Sequence, residues 1–202
     1  MLILGLTGGM ATGKSTVAKM FVELGAIHID ADSLSREIVA PGEPAWWAIV
    51  DRFGSVVLRE DGQLDRKALA ALVFSDPQKL AALNKITHPP IITLIRQRLA
   101  EAQAGGAGLV VLEAPLLYEA GLDSEVDRVV VVAAAEATQL ERLVPRDRLL
   151  ESEARQRMAA QMPLSEKIRR AHYCLDNNGS LEDTRRQVQQ LSLILTQECV
   201  DV

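Results

Sequence analysis

The chain has 202 residues, of which 48% are hydrophobic and only 3% aromatic, and its formal net charge is −5. An aliphatic chain of this length suits one large α/β domain with insertions, in which helices cover a parallel sheet, and its acidic balance argues against nucleic acid as a partner. No apolar run reaches the ~18 residues of a membrane helix, so we expect no membrane association. Cys174 and Cys199 lack metal-ligand spacing, so we expect plain thiols in a cytoplasmic protein.

The first predicted element is a phosphate-binding loop between a strand and a helix. Residues 8–15 read Gly-Gly-Met-Ala-Thr-Gly-Lys-Ser, the complete P-loop pattern G-x-x-x-x-G-K-S. Residues 2–6 predict a buried strand before it, and apolar residues at helical spacing over 17–24 predict a helix after it. Backbone N–H groups of such a loop cradle nucleotide phosphates. Lys14 would therefore contact the β- and γ-phosphates, and the Ser15 hydroxyl would hold Mg²⁺. The alternative is a ligand-free glycine turn, and the flanking strand and helix argue against it.

Two carboxylates follow the second predicted strand, residues 26–30. Asp30-Ala31-Asp32 places them at its carboxyl end, where open α/β sheets bind ligands. Asp32 could be a general base, a partner of Mg²⁺ through water, or a helix N-cap. A kinase needs a carboxylate near the acceptor hydroxyl, so the P-loop favours a functional interpretation. His28, on the strand itself, is more typical of packing or of the surface.

Residues 33–103 predict a helical insertion, because no long strand pattern occurs there. Its interruptions are Pro41-Gly42, a tight turn at Asp61-Gly62, a helix start capped by aspartate at Asp76-Pro77, and a break at His88-Pro89-Pro90. The adjacent Trp46 and Trp47 face different ways on a helix, so we expect one in the core and the other at the surface or the substrate.

Three further strands are predicted over residues 109–113, 129–132 and 172–175, and the first of them ends in Glu113. Strands that alternate with helices imply right-handed crossovers and a parallel sheet. Glu113 could act as a second acid near Mg²⁺, or it could only accept a hydrogen bond from Ser15. The pattern as a whole predicts a three-layer P-loop NTPase fold.

An arginine-rich segment spans residues 139–162. Its arginines are Arg142, Arg146, Arg148, Arg155 and Arg157. Such a run is most often one solvated helix face. Beside a P-loop it is also typical of a lid whose guanidinium groups bind triphosphate oxygens in a bidentate manner, and we favour a lid. Pro145 is expected to break the helix near a hinge.

Together these motifs resemble the dephospho-CoA kinase family, and the resemblance runs in order along almost the whole chain. It rests on residues 5–16, Ile29-Asp30-Ala31-Asp32 with Arg36, Pro41-Gly42, residues 61–66, Leu83-Asn84 with His88-Pro89, Pro115-Leu116-Leu117 with Glu119, Gln139 with Arg142 and Arg146-Asp147, Ala160-Gln161, and Asn177 with Gly179. A P-loop alone is shared by many families, whereas the Asp-Ala-Asp, His-Pro and Pro-Leu-Leu elements together are far more specific.

The resemblance implies an enzyme of coenzyme A biosynthesis. With Mg²⁺, it would use ATP to phosphorylate the 3′-hydroxyl of the ribose of dephospho-CoA, giving CoA and ADP. It implies a nucleotide-binding core of residues 1–32, 104–138 and 163–202, a helical acceptor-binding insertion of residues 33–103, and a helical lid of residues 139–162. ATP and dephospho-CoA would be the partners of a cytoplasmic monomer or weak homo-oligomer.

The resemblance also implies site residues by matching position. ATP would be bound by Gly9, Ala11, Thr12, Gly13, Lys14, Ser15, Thr16 and, near the adenine, Asn177. The acceptor site would comprise Asp32, Arg36, His88, Pro115 and Leu116. The catalytic groups would be Lys14, Asp32 as the base, and a lid arginine, either Arg142 or Arg146, with Ser15 on Mg²⁺.

Three positions depart from the usual pattern of the family. Met10-Ala11-Thr12 stands where Ile-Gly-Ser is usual, and a left-handed backbone at Ala11 would be costly. His172 and Ala133-Ala134 stand where the family commonly has aspartate. These departures concern local contacts and leave the reaction class unchanged.

Two rival functions follow from the residues alone. A kinase of a nucleoside monophosphate or of a shikimate-like alcohol would share the P-loop, although the size of the insertion favours an extended acceptor. A GTP-binding switch protein would need a guanine-reading Asn-Lys-x-Asp, and residues 84–87 read Asn-Lys-Ile-Thr, which lacks the final acid.

Overall fold

A five-stranded parallel sheet organises the computed structural model, which describes residues 1–74 and 76–200. The strands are β1 (Leu2–Gly8), β2 (Ile27–Asp30), β3 (Leu109–Glu113), β4 (Arg128–Ala133) and β5 (Tyr173–Asp176). They follow the order β2-β3-β1-β4-β5, and every neighbouring pair is parallel. The inner strands β1, β3 and β4 are nearly continuous apolar runs, as expected for strands covered on both faces. The predicted α/β class is confirmed.

The helices cover the sheet or form the insertion. They are α1 (Lys14–Glu23), α2 (Ala31–Glu37), α3 (Pro44–Phe53), α4 (Arg66–Phe74), α5 (Pro77–Ala104), α6 (Glu136–Asp147), α7 (Glu151–Ala159), α8 (Leu164–Arg170) and α9 (Leu181–Val200). Short 3-10 turns occur at Ser55–Val57 and Leu122–Glu125. Across residues 1–74 and 76–200, no helix has the length and apolar character to cross a membrane.

The chain divides into two compact units, Met1–Asp30 with Leu99–Val202, and Ala31–Arg98. The first unit holds the sheet, the P-loop and the residues expected to form the lid. Its main apolar cluster packs β1 and β4 against α1 and α9, with Leu4, Leu6, Phe21, Val130 and Leu195 among its members. Each such side chain stabilises the fold by about 1.5–3 kcal/mol when fully buried, so the strand that leads into the P-loop is firmly anchored.

The second unit is a helical domain around an aliphatic and tryptophan core. Trp46 is buried and its indole N–H donates to the Gly62 carbonyl at 3.1 Å, whereas Trp47 is 60% exposed, as predicted for adjacent residues on a helix. Gly62 lies in the predicted tight turn, with φ of 79°. Asp76 accepts the backbone N–H of Gln78 at 2.9 Å, which confirms it as the cap of α5.

The predicted helix break at His88-Pro89-Pro90 is wrong, because α5 continues through both prolines. A proline inside a helix removes one backbone hydrogen bond and strains the preceding turn. Apolar residues on both sides of the pair pack against the same core: Leu80, Leu83, Ile86, Ile91 and Leu94. This packing outweighs the local cost, and it depends on partners that are remote in the sequence.

The arginine-rich segment forms two helices, and Pro145 lies inside the first of them. The expected break at this proline is therefore misplaced, because α6 ends two residues later at Asp147. Arg148 ends it in the left-handed conformation, with φ of 52°. The chain reverses there into α7, whose Ala154 packs against Leu143 of α6.

Candidate active site

The P-loop leaves the carboxyl end of β1 and enters α1 at Lys14. The backbone N–H groups of Thr16 and Val17 donate to the Gly13 carbonyl at 3.1 Å and close the first helical turn. The earlier N–H groups of a helix have no acceptor within it, and its dipole places positive charge at this end. The loop and α1 therefore present an anion site, in the strand-loop-helix setting that the sequence predicts.

Two glycines allow the path of the loop. Gly13 has φ of 95°, and a Cβ there would lie 2.1 Å from Nδ2 of Asn177. A Cβ at Gly8 would lie 2.4 Å from the carbonyl oxygen of Val132. Cβ atoms do not approach other heavy atoms this closely, so a side chain at either position would displace the loop or its neighbours.

Asn177 holds the loop from outside it. Its side-chain N–H donates to the Thr12 carbonyl at 2.7 Å, and its side-chain oxygen accepts the Thr184 hydroxyl at 2.7 Å. Its backbone N–H donates to the Ala133 carbonyl at 2.8 Å, which ties it to β4. The buried amide thus joins α9 and the sheet to the P-loop. Contact between Asn177 and adenine stays a prediction.

Lys14 folds over the loop that precedes it. Its ammonium donates to the carbonyl of Gly9 at 2.7 Å and to that of Gly8 at 3.3 Å. These carbonyls hold a flexible, half-buried side chain at the mouth of the anion site. An incoming phosphate would compete with them for the same ammonium.

Ala11 adopts the left-handed conformation, with φ of 55°, at the position where the related family usually has glycine. For a residue with a Cβ this backbone costs about 1–2 kcal/mol. The side chains of Met10 and Ala11 pack against an apolar cluster of α6 and α7 formed by Leu140, Leu143 and Ala154. The contact with α6 and α7 offsets part of the strain, and it links the P-loop to the predicted lid.

Ser15, Glu113 and His28 form a chain of hydrogen bonds across the sheet edge. The Ser15 hydroxyl donates to Glu113 at 2.9 Å, and Nε2 of His28 lies 3.0 Å from the other carboxylate oxygen. Burial alone would raise the pKa of Glu113, but hydrogen bonds from His28 and Ser15 and the charge of Lys14 outweigh it, so the pKa lies below its ordinary value. Of the two predicted roles, the structure confirms the hydrogen bond from Ser15. His28 therefore contacts Glu113, a contact that its place in the sequence did not indicate.

Asp32, Arg36 and His88 belong to the second unit. Asp32 lies in the first turn of α2, and its carbonyl accepts the Ser35 hydroxyl at 2.7 Å. Burial lowers the pKa of Arg66, as does the nearby Arg36, whereas Asp32 raises it. The second unit therefore gathers guanidinium groups around Asp32. Arg66 was not among the predicted site residues, although it ends the motif of residues 61–66.

Pro115 and Leu116 lie in the loop after β3, in the first unit. The Pro115 carbonyl accepts the Thr7 hydroxyl at 3.2 Å and the Lys167 ammonium at 2.6 Å. Leu116 is 46% exposed, so its side chain is accessible to a ligand. Lys167 carried no sequence signal, because a lone lysine in a polar helix is normally solvated.

Arg142 and Arg146 make different contacts. A guanidinium N–H of Arg142 donates to the Asn177 carbonyl at 2.9 Å, at the anchor of the P-loop. Arg146 instead forms a bidentate ion pair with Asp147, in which two guanidinium N–H groups donate to the two carboxylate oxygens at 2.7 and 3.1 Å. Arg142 is thus the arginine held beside the P-loop, while Arg146 is directed to its own helix end.

Two of the positions that depart from the family pattern have structural roles. Nδ1 of His172 accepts the Val129 N–H at 3.0 Å, and the His172 N–H donates to the Val129 carbonyl at 2.9 Å. The Ala134 carbonyl accepts the side-chain N–H of the buried Gln139 at 2.9 Å. The first contact joins β4 to the start of β5 and the second joins the end of β4 to α6, in both cases without a carboxylate.

A parallel sheet with a P-loop at its central strand, a helical insertion after the second strand and an arginine-bearing helical pair after the fourth define the class of P-loop kinases. The sequence model of one protein family, described as CoaE, dephospho-CoA kinase, matches residues 2–183 of this chain. The chain belongs to the dephospho-CoA kinase family.

Individual relatives and solved structures are similar to this chain over almost its whole length. A dephospho-CoA kinase of Syntrophotalea carbinolica is 56% identical over 93% of this chain and 89% of the relative. A crystal structure from Thermus thermophilus has a TM-score of 0.84 and 37% identity, covering 96% of this chain and 97% of the other. The dephospho-CoA kinase of Campylobacter jejuni has a TM-score of 0.72 and 25% identity, covering 97% and 98%.

We predict that Gly13→Ala destabilises the protein more than Gly25→Ala does. The two glycines have nearly equal φ, 95° and 94°, but a Cβ at Gly25 meets nothing within 4 Å. Gly25→Ala should cost about 1 kcal/mol of unfolding free energy through backbone strain alone. Gly13→Ala should cost about 1–3 kcal/mol more, because it displaces a buried amide from its acceptor.

Urea unfolding of both variants measures the difference. Addition of Asn177→Ala to Gly13→Ala should give a loss smaller than the sum of the single losses, since the two groups share one space. Equal losses for Gly13→Ala and Gly25→Ala would show that Asn177 does not constrain the loop.

Proposed function

We propose that Lys14, Asp32 and Arg142 perform the reaction of the family to which this chain belongs. That reaction is ATP-dependent phosphorylation of dephospho-CoA, and family membership confirms this sequence prediction. The observation that supports the residue roles is the P-loop, with Lys14 at its mouth and Asn177 holding its shape. Phosphoryl transfer needs little covalent help from a protein, so positioning and charge stabilisation would supply most of the catalysis.

ATP would bind with its phosphates against the N–H groups of residues 9–16. Lys14 would exchange the carbonyls of Gly8 and Gly9 for the β- and γ-phosphates, and its charge would offset the negative charge that develops on the transferring group. Because the carbonyls already hold the ammonium at the loop, little side-chain entropy would be lost on binding.

Mg²⁺ is the expected cofactor of this site, and the donor set fits it. Among residues 1–74 and 76–200, no cluster of three or more His, Cys, Asp and Glu residues could hold a metal on its own. This is the usual situation for Mg²⁺, which keeps several waters and takes oxygen from the substrate phosphates. Ser15 would supply the protein oxygen, with Glu113 fixing the direction of its hydroxyl. When bound, the ion neutralises charge on the phosphates.

Asp32 would accept the proton of the 3′-hydroxyl as the new bond to phosphorus forms. The guanidinium groups near it, Arg36 and Arg66, suit an acceptor that carries phosphate groups. His88, Pro115 and Leu116 complete the proposed acceptor site. Arg142 is the preferred lid arginine because it already lies beside the P-loop.

Two finer expectations belong to the same proposal. A cytoplasmic location is supported by Cys174, a free thiol on β5. Cys174 is exposed, and partial burial of its thiol raises the pKa, as does the nearby Asp176, so the group stays a neutral thiol that suits a reducing compartment. Cys199 lies outside the described side chains. The protein is further proposed to act as a monomer or weak homo-oligomer.

A coupled assay of ADP release, with and without dephospho-CoA, tests the activity. We expect ADP release to depend on dephospho-CoA and not on a nucleoside monophosphate or shikimate. Competition between ATP and GTP tests the nucleotide. ADP release that shikimate stimulates more than dephospho-CoA, or turnover that GTP sustains better than ATP, would refute the proposal.

Lys14→Ala is expected to abolish phosphoryl transfer while the fold is retained. The lost charge should cost at least about 3 kcal/mol of transition-state stabilisation, more than a hundredfold in turnover. Lys19→Ala, on the exposed face of the same helix, is the matched control and should be near wild type. Steady-state kinetics of both variants, with circular dichroism for the fold, provide the test, and near wild-type turnover of Lys14→Ala would remove Lys14 from the mechanism.

Asp32→Asn should lower kcat about 10²–10⁴-fold, as expected for loss of a general base, with little change in ATP affinity. Asparagine keeps the shape and much of the capping ability of aspartate but cannot take the proton. Asp51→Asn, exposed on α3, serves as the control. Unchanged kcat would mean that Asp32 is only a cap, and a loss of ATP affinity with kcat retained would place Asp32 in the Mg²⁺ shell.

Residues 139–162 are expected to gain protection from amide hydrogen exchange when ATP and dephospho-CoA are both bound, because a lid excludes water from the phosphoryl group. Arg142→Ala should lower kcat at least tenfold, and Arg146→Ala should have the smaller effect. Arg169→Ala, on an exposed site of α8, is the control. Equal exchange with and without ligands, together with normal kcat in both variants, would make the segment an ordinary solvated helix pair.

A further inference from the structure

Lys167 is a lysine with no exposed surface in a helix of otherwise solvated polar residues. Burial of an ammonium group is unfavourable unless partners replace its water. Here the Pro115 carbonyl accepts it at 2.6 Å, and a carboxylate oxygen of Glu119 lies at 3.0 Å. Both partners come from one short loop after β3, the loop proposed above to contact the acceptor.

The same two partners bind two further segments. The Pro115 carbonyl also accepts the hydroxyl of Thr7, the residue of β1 that directly precedes the P-loop motif. The Glu119 carboxylate also accepts the backbone N–H of Met162 at 2.9 Å, the last residue of the predicted lid. One buried ammonium therefore connects the P-loop strand, the acceptor loop and the end of the lid.

A second contact strengthens the connection between the same helix and loop. The guanidinium group of Arg170, one turn after Lys167, lies 5.0 Å from the centre of the Tyr118 ring. Tyr118 is itself buried, and in the sequence it lies between Pro115 and Glu119. The loop is therefore held at three places along residues 115–119.

A buried ion pair is a weak source of stability, since apolar side chains of similar volume often serve as well. A buried charge instead fixes the orientation of its partners, because only one arrangement of the carbonyl and the carboxylate satisfies the ammonium. A loop that must place a substrate hydroxyl within about 0.5 Å needs such direction more than it needs additional apolar area.

We propose that Lys167 is a positioning residue for phosphoryl transfer, which fixes residues 115–119 and the end of the lid relative to the P-loop strand. The inference rests on the proposed acceptor role of Pro115 and Leu116. Loss of the ammonium leaves the P-loop and its ATP site intact, because Asn177 and Thr184 hold them through separate contacts. It releases the acceptor loop and the junction with the lid.

The test compares Lys167→Met with Arg169→Met, a matched variant on the exposed face of the same helix. We expect Lys167→Met to raise KM for dephospho-CoA and to lower kcat, each at least tenfold, while the dissociation constant for ATP changes less than twofold. Arg169→Met should change none of the three by more than twofold. Lys167→Arg, which keeps the charge in a larger group, should recover part of the loss.

Amide hydrogen exchange gives a reading that does not depend on activity. In Lys167→Met, peptides covering residues 114–122 and 159–165 should exchange at least tenfold faster, with residues 8–16 unchanged. Glu119→Gln, which retains an acceptor for Met162 but removes the carboxylate charge, should reproduce the same pattern and serves if Lys167→Met fails to fold. The double variant Lys167→Met/Glu119→Gln should lose less than the product of the single effects.

Unchanged exchange and kinetics in folded Lys167→Met would overturn the proposal. So would an equal loss of ATP binding, acceptor binding and folded fraction, which is the mark of a general structural role. If the wild-type protein does not phosphorylate dephospho-CoA, the proposed function fails, while the exchange comparison still decides whether Lys167 fixes the loop.

Discussion

The structure depends on one backbone constraint, namely that the loop after β1 must turn its N–H groups inward toward an anion. A chain in this conformation cannot satisfy its own polar groups by regular pairing, so neighbouring elements must hold it. Gly13 takes the required left-handed turn, and Asn177 holds the Thr12 carbonyl from the far side of the loop. The sheet, α1 and α9 serve as the rigid frame on which this arrangement is built.

The buried polar side chains follow from the same constraint. Those in the described part of the chain are Thr7, Thr12, Glu113, Gln139, Lys167, Asn177 and Thr184. Most of them hydrogen-bond to one another or to the backbone around the carboxyl end of the sheet. Burying a polar group is costly unless it is paired. The concentration of paired polar side chains here therefore indicates a region where the orientation given by hydrogen bonds matters more than additional apolar packing.

The position of Ala11 shows how a departure from a family pattern can be accommodated. Glycine would adopt φ of 55° without strain, and alanine does not. The methyl group packs with Met10 against α6 and α7, so part of the cost is offset by a contact that glycine could not make. In this protein the P-loop and the arginine-bearing helices are therefore coupled by apolar contact as well as by Arg142.

The sequence by itself determined the strands, the parallel character of the sheet, the P-loop and the family, because these depend on local patterns of apolar residues, glycines and charge. It also indicated the cap at Asp76 and the turn at Gly62, whose chemistry is complete within a few residues. Only the tertiary structure decided that α5 passes through Pro89 and Pro90, since the compensating contacts come from remote residues. It likewise decided that Lys167 is buried, because the cost of burying a charge is balanced by a carbonyl 52 residues away along the chain.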